Sequence, residues 1–172
     1  MSMQLTEQLE ELSKLLDVEI AAMQKLLDAA TSKKTALIRA DVAAVGKWTN
    51  HEIEAAQNAA AAGDARIASM VRTGKTIDVD LNKMPIQALA LRVGEPFKTR
   101  LLAQRTALAG VIAKVRRTNE QNRSLSEQSL KQLRLFLNMI TTGNDGQPCY
   151  TRNGVESRPE TASRLNLVDQ VA

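Results

Sequence analysis

Three short features of the sequence contain residue types that can carry out chemistry. Gly74-Lys75-Thr76 has the composition of the end of a phosphate-binding loop, but the earlier glycine that such a loop needs falls on Ser69, within a predicted helix, so a plain turn is the simpler interpretation. His51 is the only histidine, and the Cys, Asp and Glu residues near it lack the spacing of a metal site. Cys149 lies in a polar segment that offers no histidine base to activate a nucleophile. The sequence therefore predicts no enzymatic activity, no metal site and no cofactor.

The composition favours long helices in an aqueous, reducing compartment. Aromatic residues make up only 2% of the 172 residues, whereas Ala and Leu are plentiful, as expected for helices packed along their lengths. No apolar window is long enough to span a membrane, and residues 1–11 lack the basic start and apolar centre of a secretory signal. A single cysteine fits a reducing compartment. We therefore expect a cytoplasmic protein.

The longest predicted helix runs from Phe97 to Thr141. It begins after Pro96, which suits a first helical turn, and it ends at Gly143, a residue type common just past a helix end. Its apolar ends and polar centre follow a repeat of four and three residues, which indicates the packing face of a coiled coil or bundle helix. The predicted face consists of Leu101, Arg105, Leu108, Ile112, Val115, Asn119, Asn122, Ser126, Ser129, Leu133, Phe136 and Ile140.

Two further long helices precede it. The first runs from Leu5 to about Arg39, and Asp41 is a suitable N-cap for a second helix that ends near Arg72, before a predicted break at residues 73–76. One continuous helix over residues 5–72 is an alternative, but a back-folded pair buries both apolar faces and is preferred. The first face contains Leu5, Leu9, Leu12, Leu16, Ile20, Met23, Leu27 and Ala30, and the second contains Val45, Trp48, Glu52, Ala55, Ala59, Ala62, Arg66 and Ser69.

These elements predict an all-α protein. A connector over residues 73–95 contains a short helix through Ile86, Leu89 and Leu91. We expect residues 1–142 to form an elongated antiparallel bundle or coiled coil of three long helices with this short connector helix. Residues 143–172 are polar until near their end, and we expect a mobile C-terminal tail.

The charge is concentrated on the last long helix. The net charge of the chain is +4, while residues 97–141 contain nine Lys and Arg against two Asp and Glu, a balance of +7. Clustered positive charge is typical of nucleic-acid binding. The basic residues are, however, spread around the helix, aromatic residues for base stacking are missing, and acidic neighbours are available for salt bridges. Weak nucleic-acid binding is therefore kept only as an alternative.

The polar centre of the last helix allows three interpretations. The helix can rotate so that Leu125, Leu130 and Leu137 face inward instead. A buried Asn can fix the register of the packed helices, as in coiled coils. Alternatively, the polar positions belong to a groove that a partner helix fills.

Four short patterns, taken together, identify a family that the chain resembles. They are Leu15-Leu16-x-x-Glu19, Ala36-Leu37-Ile38-x-x-Asp41, Asn119-x-x-Asn122-x-x-Leu125 followed by Ser129-Leu130 and Leu133, and Tyr150-x-x-x-Gly154. Over most of residues 5–154 the chain resembles the FlgN-type flagellar export chaperones. The region around Gly63-Asp64-Ala65-Arg66 departs from the family pattern, because it lacks the larger apolar side chain usual before the acidic residue.

The resemblance implies a chaperone of type III flagellar export that binds the C-terminal helices of hook-associated proteins, the hook–filament junction subunits. It would prevent their premature assembly and deliver these clients to the export gate. The client-binding residues implied are Asn122, Leu125, Ser129, Leu130, Leu133, Phe136, Leu137 and Ile140. Tyr150 and Gly154 are implied in binding the export gate, with an ordinary tail aromatic as the alternative for Tyr150. A structural coiled-coil adaptor without chaperone activity remains a second alternative.

Overall fold

The computed structural model describes residues 3–79 and 86–142, and in addition residues 149–150 and 156–157. Four helices and two short strands are present in these ranges: α1 (Met3–Ile38), α2 (Val42–Thr76), α3 (Ile86–Val93), α4 (Phe97–Thr142), β1 (Cys149–Tyr150) and β2 (Glu156–Ser157). The chain divides into two compact units, Met1–Glu127 and Gln128–Ala172. The prediction of three long helices and a short connector helix is confirmed. The elongated coiled-coil form, and the division into domains 1–142 and 143–172, stay predictions.

The boundary between α1 and α2 follows from a local capping interaction. The carboxylate of Asp41 accepts a hydrogen bond from the backbone N–H of Ala44 at 2.9 Å, and its own N–H donates to the carbonyl of Ala36 at 3.0 Å. These bonds satisfy groups that the two helix ends would leave unpaired. The predicted cap at Asp41 is therefore confirmed, and the continuous helix considered as an alternative is wrong.

The predicted break at residues 73–76 is wrong, because α2 continues to Thr76. Thr73 is fully buried and its hydroxyl donates to the carbonyl of Ser69 at 3.0 Å, while Gly74 is buried beside it. Glycine is a weak helix former, but burial of the neighbouring turn outweighs a propensity difference of about 1 kcal/mol. The helix ends at Ile77, whose N–H bonds to the carbonyls of Thr73 and Gly74.

Helices α1 and α2 run antiparallel. Ion pairs join Glu11 to Arg72 and Lys33 to Glu52, so the residue number rises along one helix as it falls along the other. All eight positions predicted for the inner face of α2 are buried or half-buried in the structure.

Helices α1 and α4 run parallel within the first unit. Ser13 donates to the side-chain oxygen of Gln104 at 3.1 Å, and Asn122 donates to the carbonyl of Ala30 at 2.9 Å. The three long helices thus alternate in direction along the chain, as expected for successive helices joined by short connections.

The packed interior of the first unit changes in composition along its length. Around α3 it is built from large apolar side chains, including Leu9, Leu12, Leu16, Met70, Ile86, Leu89, Phe97 and Leu101. Towards the C-terminal half of α1 the buried apolar residues become mainly alanines: Ala29, Ala30, Ala36, Ala59 and Ala62.

Two of the twelve positions predicted for the packing face of α4 are corrected by one residue. Leu101, Leu108, Val115 and Asn122 are buried as predicted. Between them, however, Gln104 and Thr118 are buried instead of Arg105 and Asn119, which are exposed. A buried amide costs little when it is hydrogen-bonded, whereas a buried guanidinium keeps its charge and requires an anionic partner. The polar partners that α1 supplies therefore select Gln104.

Among the residues that the structure describes, no helix is apolar over a length sufficient to cross a membrane.

Candidate functional site

The predicted client residues from Leu130 onward are exposed on α4. Leu133 is 53%, Phe136 is 59% and Ile140 is 61% exposed, and the five large side chains of this group are all at least half exposed. We call Leu130, Leu133, Phe136, Leu137 and Ile140 the α4 apolar face. Leu130 and Leu137 are not turned inward, so the predicted alternative in which the helix rotates to bury them is wrong. Ser129 is exposed as well, and Leu125 is half-buried.

The apolar surface of this segment is wider than the predicted face. Leu135 and Met139 are 55% and 73% exposed. Two residues along a helix correspond to a rotation of about 200°, so Leu135 points away from Leu133, and Met139 points away from Leu137. The sequence reasoning missed both, although seven of the eleven residues from 130 to 140 are apolar. The charged residues of this stretch are Lys131 and Arg134, so the segment carries positive charge only.

Asn122 differs from the other predicted client residues because it is buried, at 3% exposure. Its amide nitrogen donates to Ala30 on α1, while its side-chain oxygen Oδ1 is buried without a hydrogen-bond partner among the described residues. This placement favours the alternative predicted from the sequence, in which a buried Asn fixes the register of the helices.

A small polar cavity of about 240 Å³ lies next to Asn122. The Lys33–Glu52 ion pair between α1 and α2 lines it on one side, and Arg123 of α4 lines it on another. The Glu127 carboxylate accepts a hydrogen bond from Arg123 at 2.8 Å, and this interaction raises the pKa of the guanidinium above its ordinary value.

Several charges of the long helices are used within the first unit. Arg100 pairs with Glu10 at 2.9 Å, and Arg72 pairs with Glu11 at 2.6 Å. Only Arg100 of these belongs to the basic helix α4, and its pair with Glu10 of α1 supports the salt-bridge interpretation of that helix over nucleic-acid binding.

A second open surface lies between α1 and α2. It is a groove of about 840 Å³ that we call the α1–α2 groove. Half of the residues that line it have small side chains, namely Ala21, Ala22, Ala29, Ser32, Ala55, Ala61 and Ala62. Trp48 lines it together with His51, and their ring centroids are 5.3 Å apart. The sequence predicted a packing face for each of the two helices but not this groove; alanines close together on both helices were the signal for it.

The residues considered for chemistry are not assembled into a reactive site in the part of the chain that the structure describes. Gly74-Lys75-Thr76 forms the last turn of α2 and is not a phosphate-binding loop. His51 is exposed, and the described residues contain no group of three His, Cys, Asp or Glu suited to hold a metal ion. Cys149 and Tyr150 form β1, in which the backbone of Tyr150 pairs with Glu156. Gly154 lies outside the described residues, as does most of the predicted tail.

Comparison with protein families matches the chain to the family model described as FlgN protein, over residues 1–158. This range includes all four helices and both strands. Comparison with curated proteins and with solved structures gives no match.

Proposed function

Because the chain belongs to the FlgN family of flagellar export chaperones, we propose that it is a cytoplasmic chaperone for hook-associated proteins. In this function it binds the C-terminal helices of these clients, prevents their premature assembly and delivers them to the export gate.

The observation that carries the proposal is the exposed α4 apolar face. Monomeric proteins seldom leave several large apolar side chains uncovered on one helix unless another molecule binds there. A client helix that packs only in the finished filament also exposes an apolar stripe to water before export. When the client helix packs along α4 with contacts at four- and three-residue spacing, the apolar stripes of both helices are removed from water.

The assignment of residues follows their exposure. We propose that the α4 apolar face contacts the client, with Leu125 and Ser129 at its N-terminal end. Asn122 is left out of this contact because its amide is engaged with α1. Arg134 follows Leu133 by one residue, a rotation of about 100°, and so lies at the edge of the face, where it favours a client helix with an acidic residue along its own edge.

The proposal is tested by titrating a purified hook-associated protein, or its C-terminal helical segment, into the chaperone in a calorimeter. Leu133→Glu and Phe136→Glu are each expected to weaken binding by at least about tenfold, because a carboxylate must then lose its hydration at the contact. Leu135→Glu is the matched control: it introduces the same charge at equal exposure on the opposite side of the helix and should change the affinity less than about twofold.

Tyr150→Ala separates client binding from delivery in the same assay. We expect it to leave client affinity unchanged and to weaken docking of the loaded complex on the cytoplasmic part of the export gate. If Leu133→Glu and Phe136→Glu both left the client affinity unchanged, with helix content retained by circular dichroism, the α4 apolar face would not be the client-binding surface. Loss of client affinity in Tyr150→Ala would contradict the separate role of that residue.

A further inference from the structure

A third exposed surface is formed by one side of α2 together with the neighbouring side of α4. On α2 it contains Ile53, Ala60 and Ile67, and on α4 it contains Arg105 and Arg116; we call these five residues the α2–α4 surface. We propose that this surface docks an acidic amphipathic helix of a partner protein. All five residues lie within the first unit, and the proposal does not depend on the proposed function.

The α2 part of the surface is apolar and lies outside the packed interior. Ile53 and Ile67 are 53% and 47% exposed, and Ala60, midway between them, is exposed as well. The three residues follow one another at intervals of seven, close to two helical turns, so they form one stripe about 21 Å long. None of them lines the α1–α2 groove. A stripe with this spacing is suited to packing against another helix.

The polar cavity shows that this stripe lies beside α4. Thr49 of α2 lines the cavity together with Arg123 of α4, so this side of α2 faces that side of α4. Ile53 follows Thr49 by four residues and Arg116 precedes Arg123 by seven, and both spacings stay on one side of a helix. Because α2 and α4 run antiparallel, the apolar stripe and the arginines extend from the cavity in the same direction.

The α4 part of the surface carries positive charge that is not neutralised within the described residues. Residues 97–119 contain six Lys and Arg residues and no Asp or Glu. Arg100 pairs with Glu10, whereas the exposed Arg105 and Arg116 form no ion pair in the described part of the chain. They are eleven residues apart, about three turns, so they project from the same side of α4. The apolar stripe is therefore bordered by cations on its α4 side.

The opposite border of the stripe offers no cation. Among the charged residues of α2 in the range 53–67, Glu54 lines the α1–α2 groove and Arg66 is paired with Glu19, which leaves the exposed carboxylate of Asp64. Duplex DNA or an anionic membrane would meet that carboxylate and an apolar stripe. A helix with an apolar stripe of its own and acidic residues along one flank complements both the apolar and the basic part of the surface.

The probe is a synthetic helical peptide of about 18 residues, or roughly 27 Å, with leucines at four- and three-residue spacing and glutamates along one flank. Calorimetry on the Leu133→Glu chain, whose α4 apolar face is blocked, keeps that face from contributing. The glutamate peptide is expected to bind at least about tenfold more tightly than an otherwise identical peptide with lysines, and added salt should narrow the difference. Equal binding of the two peptides overturns the proposal.

Variants of the chain locate the contact. Arg116→Glu and Ile67→Glu should each weaken binding of the glutamate peptide by at least about tenfold. The matched controls are Arg117→Glu, at the exposed neighbouring position about 100° around α4, and Val18→Glu, at a 55% exposed position in the α1–α2 groove. Both should change the affinity less than about twofold. Equal losses in Arg116→Glu and Arg117→Glu, or a loss in Val18→Glu without one in Ile67→Glu, overturn the α2–α4 surface as the docking site.

Exchanging the charges gives the sharpest test. The double variant Arg105→Glu and Arg116→Glu is expected to bind the lysine peptide at least about tenfold more tightly than the parent chain does. If it binds that peptide no better, charge pairing at this surface is absent and the proposal fails. Binding of duplex DNA or anionic phospholipid vesicles through Arg116, without binding of the glutamate peptide, also overturns it. Neither outcome bears on the client assay, which uses a different face of the protein.

Discussion

Glu19 of α1 is a buried carboxylate, with its side chain 5% exposed, and both of its oxygens accept hydrogen bonds from Arg66 of α2, at 2.5 and 3.4 Å. A methyl group built at Gly63 would lie 3.3 Å from the Glu19 carboxylate. This close approach gives a physical reason for the departure from the family pattern noted at Gly63-Asp64-Ala65-Arg66. A small residue at that position leaves room for the ion pair.

Removing one partner of this pair is expected to be costly. Arg66→Ala leaves Glu19 buried without its counter-charge and should lower the free energy of unfolding by about 3 kcal/mol. Arg72→Ala is the matched control, because its pair with Glu11 is about half exposed and should contribute less than about 1 kcal/mol. The measurement is urea unfolding followed by circular dichroism.

A double variant completes the comparison at this site. Replacing both Glu19 and Arg66 by Leu removes the unpaired charge and should restore most of the stability lost in Arg66→Ala. If Arg66→Ala and Arg72→Ala lowered the free energy of unfolding equally, burial of Glu19 would not make its ion pair with Arg66 more important for stability than the half-exposed pair.

At the scale of the element, the start of α2 depends on one side chain. Asp41 adopts an extended backbone conformation and its carboxylate accepts from Ala44, which satisfies one of the N–H groups that the first turn leaves unpaired. The contact is local and exposed, so its contribution can be separated from packing.

Asp41→Ala is expected to lower the free energy of unfolding by about 1 kcal/mol, since the cap is lost and no other group replaces it. Asp64→Ala, an exposed position within the same helix, should change stability by less than about 0.5 kcal/mol. Thermal and urea unfolding of both variants provide the measurement. Asp41→Asn should retain most of the wild-type stability, because Asn also caps well; a loss as large as that of Asp41→Ala would contradict the capping role.

At the scale of the whole molecule, the first unit has an uneven interior. Large apolar side chains from α1, α3 and α4 meet around α3, whereas alanines, the Lys33–Glu52 pair and Asn122 occupy the region towards the C-terminal end of α1. Less apolar surface is buried per residue in the second region, and a polar cavity of about 240 Å³ adjoins it. We therefore expect the second region to open at a lower free-energy cost.

Native-state hydrogen exchange tests this expectation. Amides in residues 9–16 and 89–108 should exchange more slowly than those in residues 26–36 and 52–62, because the first group requires the leucine-rich interior to open. Leu89→Ala should reduce protection in the first group most, by creating a cavity among fully buried side chains. Uniform protection along α1 would contradict a graded interior.

The sequence by itself determined the helices and most of their ends. Asp41 caps α2, Pro96 precedes α4, and the repeat of four and three residues places Leu101, Leu108 and Val115 inside. These features depend on residues within one or two turns of each other, which is why periodicity and capping rules identify them. The resemblance to the family rested on the same local patterns and is confirmed by the family match.

Only the tertiary structure decided which polar residues enter the interior and which apolar residues stay outside it. Gln104 is buried because Ser13 and Asp17 on α1 satisfy its amide, and Gly74 stays helical because the turn around it is buried. The α1–α2 groove and the exposure of Met139 likewise depend on where other helices lie. The free energy of burying a side chain is set by partners far away in the chain, and no spacing within one helix specifies them.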